Sequence, residues 1–193
     1  MVGVLSGRDA FAQSSADLAA VAQNPVAAAY SLPLQNNVVG GVGPKDSTVN
    51  VLNIQPVLPF SLSEWNLISR TIAPVIYTPD LVGGLPEFAS APSGRGSAFG
   101  LGDINETIYV SPAQPGSLIW GIGPSVSLPT ATSRVLGSGK LSLGPSAVAL
   151  AMPKPWVFGI LGRQLWSVAG NDSRKAVSQL LLQPFVNYNL SGG

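Results

Sequence analysis

The sequence predicts an all-β fold: an antiparallel meander of about eight long strands forming part of a transmembrane β-barrel, with a short N-terminal helix ahead of it. Three observations carry that prediction. The 193-residue chain is hydrophobic, with 46% apolar and only 10% charged residues and a mean hydropathy of +0.33. Yet it holds no run of about 18 apolar residues, the length a membrane-crossing helix needs. Its apolar residues instead alternate with polar ones over stretches of about twelve residues, roughly twice the usual strand length of soluble proteins. Finally, short and long connections alternate between those stretches, as they do in outer-membrane barrels.

The elements follow in chain order. Residues 1–13 read as a residual export segment, because Ala10-Phe11-Ala12 before Gln13 has the small-x-small form of a signal-peptidase site. The apolar stretch ahead of it, Val2 to Leu5, is short for a signal peptide. Residues 14–30 read as a helix and an arm. Ser14 and Asp17 form an S-x-x-D cap, an Ala/Leu/Val run follows, and Asn24-Pro25 stops it. Such a helix would sit at the barrel mouth, plug it, or serve as a plain N-terminal arm. Residues 31–193 are the barrel domain.

Within that domain strands are predicted near 31–43, 49–62, 65–77, 99–111, 117–129, 139–152, 155–168 and 177–190. From 51 to 62, Leu52, Ile54, Pro56, Leu58, Phe60 and Leu62 share one face, and Asn53, Gln55, Val57, Pro59 and Ser61 share the other. Twelve residues at about 3.3 Å each span roughly 40 Å, enough to cross a bilayer at a tilt of about 45°. The same alternation recurs from Gln179 to Leu190 and from Ser117 to Leu128, and Gly123-Pro124-Ser125 returns as Gly144-Pro145-Ser146. Ser63-Glu64, residues 113–116 and Pro153-Lys154 are the tight turns; residues 79–97 form the longest loop. Trp65, Tyr77, Tyr109, Trp156, Trp166 and Tyr188 fall near strand ends, where a membrane interface favours Trp and Tyr. Against this stand Pro56, Pro74, Pro124, Pro145 and Pro184, all inside predicted strands, where proline donates no ladder hydrogen bond. Either the ladders carry bulges there or the strands break.

Composition also limits the function. Net charge is +1 and no block of like charge occurs, so no nucleic-acid footprint is present. Cysteine and histidine are absent, which removes thiolate nucleophiles, disulfides, the usual zinc ligands and the usual general base. Gly100-Leu101-Gly102-Asp103 lacks the third glycine and the Lys-Ser/Thr of a phosphate loop and reads as a tight turn into a strand. Glu64, Glu87 and Glu106 show no paired-carboxylate spacing and read as rim charges. The chain is therefore expected to be no enzyme and to need no cofactor.

Several segments together carry a resemblance. Gln23-Asn24-Pro25-Val26, Leu34-Gln35-Asn36-Asn37, Val51-Leu52-Asn53-Ile54-Gln55-Pro56-Val57, Thr71-Ile72-Ala73-Pro74-Val75-Ile76-Tyr77, Gly100-Leu101-Gly102-Asp103-Ile104-Asn105 and Leu182-Gln183-Pro184-Phe185 stand in the order of one family. From residue 14 to 193 the chain resembles the outer-membrane transporter family named after the meta-pathway of phenol degradation. The resemblance implies an exported barrel in a Gram-negative outer membrane with a transport role, and it supplies no catalytic residues. Family members continue with more strands, whereas this sequence stops at Leu190-Ser191-Gly192-Gly193, a turn after a strand. A C-terminally truncated barrel domain is therefore expected.

The candidate functional residues are those that would line the lumen: Asn53, Gln55, Arg70, Ser125, Arg163, Gln183 and Asn187. Arg70 decides its own strand. Its face also carries Ile68, Ile72 and Ile76, which hydrophobicity alone would turn to lipid, but a mid-strand arginine in hydrocarbon costs about 2–4 kcal/mol. Arg70 is expected inward, with Ile68 and Ile72 packed there. Arg70 and Arg163 would bias a pore toward anions or would pair structurally with an acid such as Asp103. The expected partners are the lipid bilayer and small solutes. The expected function is a channel or transporter for small, aromatic or hydrophobic molecules; the alternatives are a plugged structural or interaction barrel, or a soluble secreted β-barrel binder.

Overall fold

A computed structural model describes residues 23–42, 46–79 and 96–189. The described chain is all-β. It holds ten strands, β1 (Leu34–Val42), β2 (Ser47–Ile54), β3 (Val57–Leu62), β4 (Trp65–Thr78), β5 (Ala98–Leu101), β6 (Ile104–Pro112), β7 (Leu118–Leu128), β8 (Lys140–Ala151), β9 (Trp156–Gly170) and β10 (Ser178–Tyr188). Every pairing is antiparallel, and the sheet runs β1-β2-β4-β6-β7-β8-β9-β10, with β3 and β5 also on β4. The export segment, all but the last residues of the expected helix, most of the long loop and the final turn lie outside the described residues. The sheet is a meander that curls into a half-barrel. Its curl is evident from residues at opposite ends of the path, Gln35 on β1 and Gln183 and Asn187 on β10, which line one cavity.

Two of the eight expected strands are each broken once, one at a proline and the other opposite one. The stretch 49–62 splits into β2 and β3 at Gln55-Pro56, while β4 continues past both pieces in unchanged register, from Ile54↔Ala73 to Val57↔Arg70. The stretch 99–111 splits into β5 and β6 at Gly102-Asp103, between Val75↔Leu101 and Ile72↔Asn105, which is opposite Pro74. Gly102 still donates its N–H to the Pro74 carbonyl at 2.8 Å.

Pro124 and Pro145 are accommodated differently. They face each other across β7 and β8, so that Gly123-Pro124-Ser125 pairs antiparallel with Gly144-Pro145-Ser146. The outer ladder of each strand lapses at the same level. Pairing of β6 with β7 skips from Thr107↔Ser125 to Val110↔Ile122, and pairing of β8 with β9 skips from Leu143↔Trp166 to Ser146↔Arg163. Proline offers those neighbours no N–H, and their carbonyls come down onto the preceding glycines. A Cβ on Gly123 would stand 1.8 Å from the Ile108 carbonyl oxygen, and one on Gly144 1.8 Å from that of Gln164. The repeated Gly-Pro is thus one device used twice: proline removes the donor, and glycine makes room for the displaced acceptor. Pro184 lies on β10, at one end of the sheet.

Side chains alternate between the two faces of the curled sheet. On the concave side Val26, Val57, Ile68, Tyr109, Val148, Leu150, Val157 and Leu161 form an apolar cluster at the end that carries the short turns. Val42, Val49, Val51, Ile76 and Leu136 form a second one at the long-loop end. Neither cluster is made by strands alone. Val26 comes from the arm, which is tied to the sheet by the Ser31↔Val57 bridge and by Gln23 Nε2 donating to Asn189 Oδ1 at 2.8 Å. Leu136 comes from the β7–β8 loop, folded inward.

Candidate functional site

Between the two apolar clusters the concave face is polar. Asn53, Gln55, Arg70, Arg163 and Gln183 line a cavity of about 620 Å³. Gln55, Arg70, Gln183 and Asn187 also line a smaller one of about 310 Å³ on the arm side. Six of the seven expected lumen residues therefore line two adjoining cavities that share Gln55, Arg70 and Gln183; they come from β2, β4, β9, β10 and the β2–β3 break. The seventh, Ser125, is buried in the wall, sharing a hydrogen bond of 2.8 Å with Thr107 Oγ1.

Arg70 is directed inward as the charge argument requires. Ile68 beside it is fully buried in the short-turn cluster, and Ile72 lines the larger cavity. Arg70 Nη2 donates to Gln55 Oε1 at 2.5 Å, and Gln55 Nε2 donates to Gln35 Oε1 at 2.8 Å. Arg70 does not make the suggested pairing with Asp103. Asp103 is buried elsewhere and accepts from Ser138 N at 2.6 Å, Ser138 Oγ at 2.7 Å and Ala131 N at 3.3 Å. It clamps the inward-folded β7–β8 loop, and Arg174 holds the same loop from the far side through the Ser138 and Gly137 carbonyls. Asn53 is also buried, and its Oδ1 has no hydrogen-bond partner.

Gln35, Asn37, Asn105, Thr107 and Tyr109 line the larger cavity as well, and sequence reasoning missed them. For three of these the signal was present: Asn105, Thr107 and Tyr109 alternate along β6 just as Asn53 and Gln55 do at the end of β2 and the break that follows it. Tyr109 was instead assigned to an outer aromatic belt. It is in fact buried on the concave face, sharing a hydrogen bond of 2.8 Å with Ser146 Oγ, because it has the parity of Thr107 and Ser111.

The other five expected belt residues are exposed on the convex face. They form two bands. At the short-turn end Trp65 meets Trp120 edge-on at 6.1 Å, and Trp156 meets Tyr188 at 4.8 Å and Phe158 at 5.7 Å. At the long-loop end stand Trp166, Tyr77 and Phe99, the last two paired across β4 and β5. From Trp65 to Tyr77 the strand covers roughly 40 Å at about 3.3 Å per residue, and a tilt of about 45° projects this to roughly 28 Å. Between the bands lie Leu58, Phe60, Ile108, Ile122, Leu143, Ile160, Leu180, Leu182 and Val186, all exposed.

One charge interrupts that apolar surface. Glu106 is not at the rim, where it was expected. It sits within β6 on the convex side, beside the middle of β4, and accepts from Ser69 Oγ at 2.6 Å and Thr71 Oγ1 at 2.5 Å. Glu64 does occupy a rim turn between β3 and β4, and Glu87 lies outside the described residues.

A soluble β-barrel buries its apolar residues and exposes its polar ones. Here the mid-height of the wall is the reverse, with amides, hydroxyls and arginines inside and aliphatic side chains outside. Such a wall can hold a polar solute while its outer surface is covered by an apolar medium. No protein-family model matches the chain, and no curated protein and no solved structure gives a significant match to it.

Proposed function

We propose that this chain is wall of an outer-membrane β-barrel of the Gram-negative type whose lumen admits small solutes. The observation that carries the reading is the inverted surface. Two aromatic bands roughly 28 Å apart by the tilt estimate above bracket an exposed aliphatic zone, close to the roughly 25 Å apolar belt of such barrels, and the amide- and arginine-lined cavity lies behind that zone. The resemblance to the outer-membrane transporter family points the same way, and aromatic or hydrophobic solutes follow from that resemblance alone.

A plugged barrel without transport is the second reading, and it too has an observation in its favour. The arm packs Val26 into the concave cluster at one end, and the loop packs Leu136 into the other. Planar-bilayer recording of the full-length protein separates the two. Steady unitary current steps support the pore; an electrically silent but correctly inserted protein supports the plug.

A further inference from the structure

The concave cavity is lined by a half-buried cation, Arg70, and its chemistry narrows what it would hold. Arg70 stands mid-strand at the junction of the two cavities. A guanidinium carries five N–H donors, and the hydrogen bond that Arg70 makes goes to a neutral acceptor, Gln55 Oε1. Among the described residues no carboxylate pairs with it. Two carboxylates at the neighbouring β5–β6 stretch are engaged elsewhere: Asp103 with the β7–β8 loop, Glu106 with Ser69 and Thr71 on the opposite face. A partly desolvated cation that is hydrogen-bonded but not neutralised carries a cost, and an anion placed against it recovers both charge attraction and unused donors.

The surroundings shape the rest of the ligand. Asn53 presents a buried amide whose Oδ1 is unpartnered; a half-turn of that amide offers an N–H instead. Beside these polar groups the larger cavity is walled by Ile72, Pro74, Leu161 and Leu181. Its volume, about 620 Å³, falls within the range of small-molecule sites. A bare inorganic anion would leave those apolar walls unused.

We propose that this cavity is a binding site for a small organic monoanion, its carboxylate on the Arg70 guanidinium and its apolar body against Leu161 and Leu181. The proposal rests on reading the concave face as a lumen, but it does not require that the lumen conduct.

The test uses full-length protein in detergent micelles, titrated by calorimetry with benzoate, neutral benzamide and cationic benzylamine. Benzoate is expected to bind about tenfold or more tightly than benzamide, the usual margin of a charge-assisted hydrogen bond, and benzylamine not to bind. Arg70→Gln should erase the preference for benzoate, and Arg70→Lys should restore part of it. Gln183→Trp, which fills the cavity from β10 and leaves Arg70 in place, should abolish binding of benzoate and benzamide alike. That variant keeps the test decisive if Arg70→Gln fails to fold. Equal affinity for benzoate and benzamide, no benzoate binding at all, or benzoate binding indifferent to Arg70→Gln or Gln183→Trp would each overturn the proposal. Bilayer recording on the same preparation separates it from the pore reading. Conductance without benzoate binding removes the site and leaves the pore; benzoate binding without conductance removes the pore and leaves the site.

Discussion

Arg70 and Gln55 are joined across the break between β2 and β3 by a 2.5 Å hydrogen bond, and Gln55 passes the connection on to Gln35 at 2.8 Å. The amide of Gln55 therefore holds the guanidinium in place, and the exposed Gln35 is the outer end of the chain. Replacing the buried Gln55 with Leu removes the acceptor of a half-buried charged donor. Such a loss costs about 1–3 kcal/mol or more, whereas Gln35→Ala should cost under about 0.5 kcal/mol as a surface change. Urea unfolding of the micelle-bound protein, followed by tryptophan fluorescence, should show that ordering. Equal midpoints for the two variants would mean that the contact does not hold Arg70.

The Gly-Pro pair gives a sharper contrast. A Cβ on Gly123 or Gly144 would lie 1.8 Å from a backbone oxygen of the adjacent strand, so each Gly→Ala change must push two strands apart. Overpacking of this kind typically costs about 1–3 kcal/mol and sometimes more. Gly162 stands on the neighbouring strand, where an added Cβ would meet only Leu182 Cδ1 at 3.8 Å. There Gly→Ala should leave stability unchanged or raise it by about 0.4–1 kcal/mol through the unfolded chain. Thermal melts of the three single variants decide the matter.

Asp103 is expected to matter for one loop rather than for the barrel wall. Its carboxylate accepts two backbone N–H groups and one hydroxyl from residues 131–138. Asp103→Ala leaves the Ser138 N–H buried without an acceptor and should free Leu136 from the long-loop cluster. Hydrogen exchange should accelerate at residues 131–138 while the amides of β8 and β9 keep their protection. Uniform acceleration across the sheet would show that Asp103 supports the whole fold.

Glu106 offers an independent check on the surroundings of the convex face. With that face in lipid, its carboxylate carries a penalty smaller than the 2–4 kcal/mol of a mid-membrane arginine. Glu106→Gln keeps an acceptor for Ser69 and Thr71 and removes the charge. In lipid bilayers it should stabilise the protein by about 1 kcal/mol in urea unfolding. Destabilisation would indicate that a protein surface, rather than lipid, covers this patch.

Faces were more legible in the sequence than breaks. Period-two alternation assigns Leu180, Leu182 and Val186 to one side and Gln183 and Asn187 to the other. Weighing a charge in hydrocarbon against one isoleucine turns Arg70 inward, and the structure has both arrangements. Proline was legible as a problem but not as its solution. Whether a strand ends, as at Pro56, or continues beside a lapsed ladder, as at Pro124, depends on what the neighbouring strand can yield. That is a pairwise property that no single strand carries. Tyr109 was misplaced because an aromatic near a strand end was read by residue type rather than by parity. Leu136 was invisible because nothing in a Ser- and Gly-containing loop announces that it folds inward. Glu106 reads as a rim charge when judged only by the absence of a carboxylate partner in spacing, although position 106 lies inside the strand predicted near 99–111.

The central claim is that lipid lies outside this wall and water within. Nitroxide labels placed singly at Leu180, Leu182, Gln183, Val186 and Asn187 of the full-length protein in liposomes test it most directly, by relaxation with oxygen, which concentrates in lipid, and with a nickel chelate, which stays in water. High oxygen and low chelate accessibility at Leu180, Leu182 and Val186, with the reverse at Gln183 and Asn187, is the predicted result. High chelate accessibility at the three aliphatic positions would contradict the account.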